Sequence, residues 1–351
     1  MYSTTTRSQL VADPRERALE TLPAHVEQTD HRDAGASDRA PSTPWQVAYI
    51  CSSGHSGSTL LDMMLGNASY AESLGEVFLL RFELERNAPC TCGVPVRQCE
   101  LWSRVLSRYA ARTGRGRTTI DLGWMPAHSS SSSFERSLYA VRRKLSHGLR
   151  FGELRAGLKS PFLAGPTYRD GLQSTVELYD DVARITGKRL LVNSSKSYLL
   201  AVDQYLALGS RVKIINLIRD GRAVYASFLR HGFSAERAVK AWQYHYERAL
   251  PLFERFVDPD AILDVRYEDL AANPEPTLRR ITDFLDVPFE EQMPIFEGRV
   301  HHNINGNNIR FNGRHQVAPD ERWRQELTPA ALEFFVQRAG HTSEALGYGR
   351  D

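Results

Sequence analysis

The sequence predicts an α/β fold in three layers, a central parallel sheet flanked by helices on both faces. Three observations carry that expectation. An apolar run of β-prone residues, Val47-Ala48-Tyr49-Ile50-Cys51, passes through Ser52-Ser53-Gly54 into Thr59-Leu60-Leu61-Asp62-Met63-Met64-Leu65, whose apolar residues fall at helical spacing. The same grammar of strand, turn and helix recurs at 189–193 with 197–208, and at 212–218 with 221–229. The strands are also continuous apolar runs rather than alternating ones, the pattern of strands covered on both sides.

Taken in order, residues 1–44 carry Ser, Thr, Pro, Asp and Arg without an apolar core and read as a disordered leader. A single domain is expected over 45–351. After the first strand and helix, Ser73-Leu74-Gly75-Glu76 is a short strand-like stretch. Between about 100 and 185 the pattern weakens, with a serine run at 129–133, and a helical insertion is expected there. Residues 235–256 form a long helical pattern interrupted by Pro251, and Ala261-Ile262-Leu263-Asp264-Val265 offers a further strand. Trp242, Tyr244 and Tyr246 sit at helical spacing, where aromatics are more often core than ring-stacking groups.

Composition narrows the function. The 44 basic residues nearly balance the 42 acidic ones, for a net charge of +2, which argues against a nucleic-acid partner. A chain that is 42% hydrophobic and 25% charged can build a sizeable core. Only six basic residues are lysine, so each lysine's context carries information; arginine supplies the other 38 and suits bidentate anion recognition. Four cysteines are too few for a disulfide scaffold, and no apolar run reaches the about 18 residues of a membrane span, so a cytoplasmic protein is expected.

The segment Ser52-Ser53-Gly54-His55-Ser56-Gly57-Ser58-Thr59 lies between the first strand and its helix, where α/β sheets bind phosphates. Glycines permit the tight turn, backbone N–H groups face an anion, and the hydroxyls of Ser56, Ser58 and Thr59 add donors. The loop is P-loop-like in place and composition, yet Gly57 is followed by Ser58-Thr59 with no lysine. That pattern suggests a nucleotide held by its 5′-phosphate whose transferred group is not a γ-phosphoryl.

These residues resemble the sulfotransferases that use 3′-phosphoadenosine 5′-phosphosulfate (PAPS). Gly54-His55-Ser56-Gly57-Ser58-Thr59 is similar to their 5′-phosphosulfate loop except at His55, where relatives commonly carry Lys or Arg. Arg219-Asp220-Gly221-Arg222-Ala223, with Ser227 eight residues after Arg219, resembles the element that grips the 3′-phosphate, in the style of the tyrosylprotein branch. Asn193-Ser194-Ser195-Lys196 looks like the element whose lysine approaches the transferring sulfuryl group. Tyr267-Glu268-Asp269-Leu270 resembles one whose tyrosine lies near the adenine. Arg310, Gly313 and Trp323 match a C-terminal loop that closes on the 3′-phosphate, with Gly313 displaced.

The resemblance implies a PAPS-dependent sulfotransferase acting on a hydroxyl or amine of a small-molecule, lipid or glycan acceptor. PAPS would be co-substrate and no metal would be required. Lys196 is then the candidate for charge stabilisation, and two residues compete for the base. Glu76, in a G-E element that deprotonates the acceptor in related branches, is preferred; His55 has a suitable ordinary pKa of about 6.5, but a bound anion would hold it protonated. The thiols Cys90, Cys92 and Cys99 form a C-x-C-x₆-C array without a fourth ligand nearby, although a distant histidine would complete a tetrahedral set. A lid loop with reduced thiols is the expectation, and His301-His302 reads as a loop pair. A non-catalytic nucleotide-binding protein, with His55 marking lost chemistry, and a nucleotide or small-molecule kinase, disfavoured by the missing lysine, are the competing classes.

Overall fold

A computed structural model of the chain describes residues 44–118, 120, 122, 166–296, 299–311 and 317–349. At its centre β1 (Gln46–Cys51) pairs in parallel with β3 (Leu190–Lys196) on one side and β4 (Val212–Ile218) on the other. The five-stranded sheet is completed by β2 (Ala71–Gly75) beside β3 and β5 (Ile262–Arg266) beside β4, so its order is β2-β3-β1-β4-β5 with every pairing parallel.

Alternate residues of β1 divide the core. Ala48 and Ile50 face α1 (Ser58–Gly66) and a later helix spanning Pro274–Leu285, while Val47, Tyr49 and Cys51 face the opposite helical layer. That second layer contains α2 (Leu80–Arg86), α3 (Glu100–Thr113), α4 (Pro166–Thr186), α5 (Tyr198–Leu208) and part of a long helix, Ala235–Phe256. A sheet buried on both faces explains why its strands read as unbroken apolar runs.

The remaining helices in chain order are α6 (Gly221–Arg230), α7 (Ala235–Phe256), α8 (Tyr267–Ala272), α9 (Pro274–Leu285), α10 (Trp323–Glu326) and α11 (Pro329–Ala345). Pro251 does not interrupt α7. It lies on the exposed side, while Trp242, Tyr246, Ala249 and Phe253 are buried on the other, and that packing offsets the roughly 3 kcal/mol that proline costs inside a helix. Trp242 and Tyr246 are therefore core, whereas Tyr244 is 44% exposed.

In the region expected to be a helical insertion, α3 and α4 are held together by Arg108 and Arg112 on Asp181, at 2.7 and 2.9 Å. The serine run at 129–133 and the leader, apart from Pro44, lie outside the described residues.

Two irregularities interrupt the register at the sheet's carboxyl edge. Between the pairs Tyr49 with Asn193 and Cys51 with Lys196, β3 carries one extra residue; between Ser73 with Val192 and Gly75 with Asn193, β2 does the same. Such bulges bend a strand and re-aim the side chains beyond them. Here those side chains are Lys196 and Glu76.

Candidate active site

The first strand delivers the chain into the Ser52–Thr59 loop at the sheet's carboxyl edge. Connections leave β1 toward β2 and leave β4 toward β5, in opposite directions, so a crevice opens above β1 and β4 of the kind where α/β sheets bind ligands. Gly57 is the N-cap of α1 at φ 90°, and a Cβ there would lie 2.4 Å from the Tyr267 ring. No other residue fits without displacing Tyr267. No side chain caps α1, which leaves its first-turn N–H groups facing the crevice. Ser53 and Ser56 share a 2.8 Å hydroxyl contact, and the Thr59 Oγ1 accepts from the Asn307 N–H at 3.1 Å, tying a C-terminal segment across the loop.

His55 occupies the left-handed region at φ 62°, as does Lys196 at φ 64°. Two non-glycine residues in this region, each costing about 1–3 kcal/mol, persist where surrounding contacts over-determine them. Around His55 those contacts are the residues singled out as nucleotide ligands. Arg219 Nη1 donates to the His55 carbonyl at 2.8 Å, and the Ser227 hydroxyl lies 3.2 Å from His55 Nδ1. Burial, together with the positive fields of His231, Lys196, Arg219 and Arg230, pushes the imidazole down to about 4. In the absence of an anion His55 is therefore neutral at pH 7, a hydrogen-bonding group rather than a cation.

Arg219 is buried, its guanidinium 4.3 Å above the Tyr267 ring, with Nη2 on Asp320 at 3.0 Å. The simple alternative, a pair between Arg219 and its neighbour Asp220, does not occur: Asp220 caps α6 and is held by Arg222 at 2.8 Å. Arg219 Nε and Ser52 Oγ are both buried without a hydrogen-bond partner among the described residues. Orphaned donors beside an uncapped helix N-terminus fit an anionic ligand.

On the other side of β1, Lys196 Nζ donates to Glu76 Oε1, with the two side chains 20% and 14% exposed. Each is set by its backbone. Asn193 Oδ1 accepts from the Ser195 N–H at 2.9 Å and the Ser195 hydroxyl at 2.5 Å, while its amide donates to Tyr179, which donates to Gln204. This lock turns the chain so that the Lys196 carbonyl accepts from the Ser52 N–H at 3.3 Å. Glu76 follows Gly75, whose φ of 69° and missing Cβ admit the Ile304 carbonyl, 2.4 Å from where that Cβ would sit; the Glu76 N–H then donates to Ile304 at 2.7 Å.

Two of the expected C-terminal positions make contacts of their own, and a third is not described. Arg310 is buried, but its Nη1 donates to the carbonyls of Asn303 and Asn305 at 3.2 and 2.8 Å, and the charges acting on it are those of Glu83, Cys90 and Glu76. It braces the 303–310 turn and shares no contact with Arg219, because the 3₁₀ turn over Asn308–Phe311 folds the side chain back on its own segment. Trp323 packs under Arg222 at 4.4 Å. Gly313 lies outside the described residues.

Two further residues shape the site without having stood out in the sequence. Asp320 is invisible there, since its partner stands 101 positions away. Asp62 had a signal, a lone carboxylate in an otherwise apolar helix. It is fully buried and receives Asn303 Nδ2 at 2.5 Å and the Ser194 hydroxyl at 3.2 Å, while Asn303 also reaches Ser73. This network joins α1, β2, β3 and the 303 segment, and the charge of Lys196 acts on it.

Burial pushes the Asp62 carboxyl up from 3.8 to about 7, against the opposing effects of those hydrogen bonds and of Lys196. The folded chain thus holds this proton more tightly than the unfolded one. The associated stability is complete below about pH 4 and is lost as pH rises through about 7. Asp62→Asn should remove that loss, so its melting temperature should gain on wild type progressively between pH 4 and 8. A pH-independent difference would contradict the assignment.

Comparison with known proteins finds likeness to sulfotransferases. Residues 158–291, spanning α4 through α9, match a family model described as the sulfotransferase family. The match spans 134 residues, less than half of the chain. A putative protein-tyrosine sulfotransferase of Caenorhabditis elegans is 27% identical over 154 residues, which cover 39% of this chain and 60% of that protein. Among solved structures, the sulfotransferase domain from the curacin biosynthetic pathway is 19% identical with a TM-score of 0.48, covering 86% of this chain and 98% of that one. The sulfotransferase domain of the Synechococcus PCC 7002 olefin synthase is 22% identical with a TM-score of 0.45, over 89% and 98%. The fold described above rests on the chain's own sheet order.

Proposed function

We propose that this chain is a sulfotransferase that moves a sulfuryl group from PAPS to a hydroxyl or amine of a small-molecule, lipid or glycan acceptor. The observation that carries the reading is the convergence of Arg219 and Ser227 on the lysine-free loop at His55, with the Glu76 and Lys196 pair at the adjoining strand ends. In this reading Gly54, His55, Ser56, Gly57, Ser58 and Thr59 hold the 5′-phosphosulfate, Arg219 and Ser227 the 3′-phosphate, and Tyr267 supports the loop near the adenine. The resemblance gives Arg310 and Gly313 a role at the 3′-phosphate, which for Arg310 would require release from the carbonyls of Asn303 and Asn305.

The acceptor proton passes to Glu76 as its oxygen or nitrogen attacks sulfur in line. The bond from sulfur to the phosphate oxygen breaks, and the leaving phosphate stays on the loop's N–H groups while Lys196 offsets charge on the sulfuryl oxygens. His55, neutral in the absence of an anion, supplies no fixed charge where relatives commonly carry a cation. That feature favours a second reading, a protein that binds the nucleotide without turnover.

Calorimetry with 3′-phosphoadenosine 5′-phosphate and with ADP, followed by turnover of labelled PAPS against a mixed acceptor panel, separates the readings. The panel includes tyrosyl peptides, prompted by the nematode relative's name. Affinity for the 3′-phosphorylated nucleotide at least about tenfold above ADP, with label transfer, is the expected result. Equal affinities overturn the nucleotide assignment, and binding without transfer overturns catalysis.

A further inference from the structure

The residues that the proposed chemistry leaves unused include three thiols and one imidazole gathered at a single point. Cys90, Cys92, Cys99 and His302 each offer a ligand atom, and the four atoms lie within 4.8 Å of one another. His302 Nδ1 is 3.1 Å from Cys99 Sγ, so the ring faces the thiols through that nitrogen. All four cysteines of the chain are free thiols, and Cys90 and Cys99 are buried.

The local folds around these residues are built to present them. Pro89 and Pro95 bridge as an antiparallel pair, closing a tight turn in which the Cys90 N–H donates to Val94 at 2.8 Å and the Gly93 N–H to Cys90 at 2.9 Å. Gly93, directly after Cys92, takes φ 93°, which a side chain would strain. Cys99 stands at the N-cap of α3. His302 arrives from the far end of the chain and is fixed on both sides: Trp102 Nε1 donates to its carbonyl at 2.7 Å, and Asn303 is locked into the Asp62 network. The charge of Glu72 on β2 acts on the ring.

We propose that Cys90, Cys92, Cys99 and His302 form a structural zinc site. The donor set is three sulfurs and one nitrogen, a closed tetrahedral combination that zinc favours and that leaves no open position for catalysis. Zinc–sulfur bonds of about 2.3 Å place tetrahedral sulfurs about 3.8 Å apart, so closure needs movements of about 1 Å or less. Binding displaces three thiol protons to solvent, His302 joins as neutral imidazole through Nδ1, and no electron changes hands. The metal would tie the 89–95 turn and the start of α3 to the segment that pairs with Gly75 and orients Glu76. The site stands independently of the PAPS assignment, since none of its four ligands is given a role there.

The test is elemental analysis of the full-length chain, purified without chelator and with any affinity tag removed. One zinc per chain is expected, falling below about a tenth in Cys92→Ser and retained in His302→Cys, which preserves four ligands. Cobalt substituted for zinc should give the visible bands and sulfur charge-transfer absorption of a tetrahedral thiolate site. Zinc below about a tenth per chain in the folded wild type, iron in its place, or zinc that persists in Cys92→Ser would each overturn the proposal. Should Cys92→Ser fail to fold, the cobalt spectrum of the wild type decides alone, because a site without thiolates lacks the charge-transfer absorption.

Discussion

Glu76→Gln should lower sulfuryl-transfer turnover by at least about 10²-fold while leaving the affinity for 3′-phosphoadenosine 5′-phosphate within about twofold of wild type. Glutamine keeps the size of the side chain, and the backbone bond from residue 76 to Ile304 does not depend on it. The glutamine carbonyl can still accept from the Lys196 ammonium, so the fold should survive. What disappears is the negative oxygen able to take the acceptor's proton. Because Glu76 touches Lys196, the competing role is a weaker one in which it only positions that ammonium. The double variant distinguishes the two. If Glu76 acts solely through Lys196, Glu76→Gln adds nothing once Lys196→Ala is in place; if Glu76 is the base, the double variant is slower than either single one. Unchanged turnover in Glu76→Gln would remove it from the chemistry altogether.

The central elements are legible in the sequence because their physics is local. An apolar run, a cluster of small residues and a helical repeat lie within about twenty positions of each other in β1 and α1, and again in β3 with α5 and β4 with α6. The Ser52–Thr59 loop is readable for the same reason. The pairing of Glu76 with Lys196 is not, since it depends on two bulges that no propensity announces and on residues 120 positions apart. His302 meets Cys99 across 203 positions, so the thiols look incomplete in the sequence and the histidine looks incidental. Arg310 shows the opposite failure. Its residue type fits an anion clamp, but two backbone carbonyls within seven residues satisfy it first. Pro251 misleads in another way, because its cost is fixed while the aromatic packing that outweighs it is tertiary.

Arg219→Lys should weaken binding of 3′-phosphoadenosine 5′-phosphate by roughly 10- to 10²-fold even though the charge is kept. The guanidinium works as a fork: Nη1 is committed to the His55 carbonyl, Nη2 to Asp320, and Nε is buried and unpartnered among the described residues. Its plane also lies over Tyr267, the ring that fills the space beside Gly57. A lysine ammonium is a point donor and cannot bind the loop carbonyl and grip a phosphate with two parallel bonds at once. Losing one charge-assisted hydrogen bond is worth about 1.5–3 kcal/mol, and each 1.4 kcal/mol is about tenfold in affinity. The effect should be selective. ADP, which lacks the 3′-phosphate, should lose little affinity in Arg219→Lys, so the ratio of the two dissociation constants, measured by calorimetry, should collapse toward that of a non-discriminating site. Equal losses for both nucleotides would mean that Arg219 serves only to hold His55 and the loop. No loss for either nucleotide would move the 3′-phosphate away from Arg219 to another cation of the crevice.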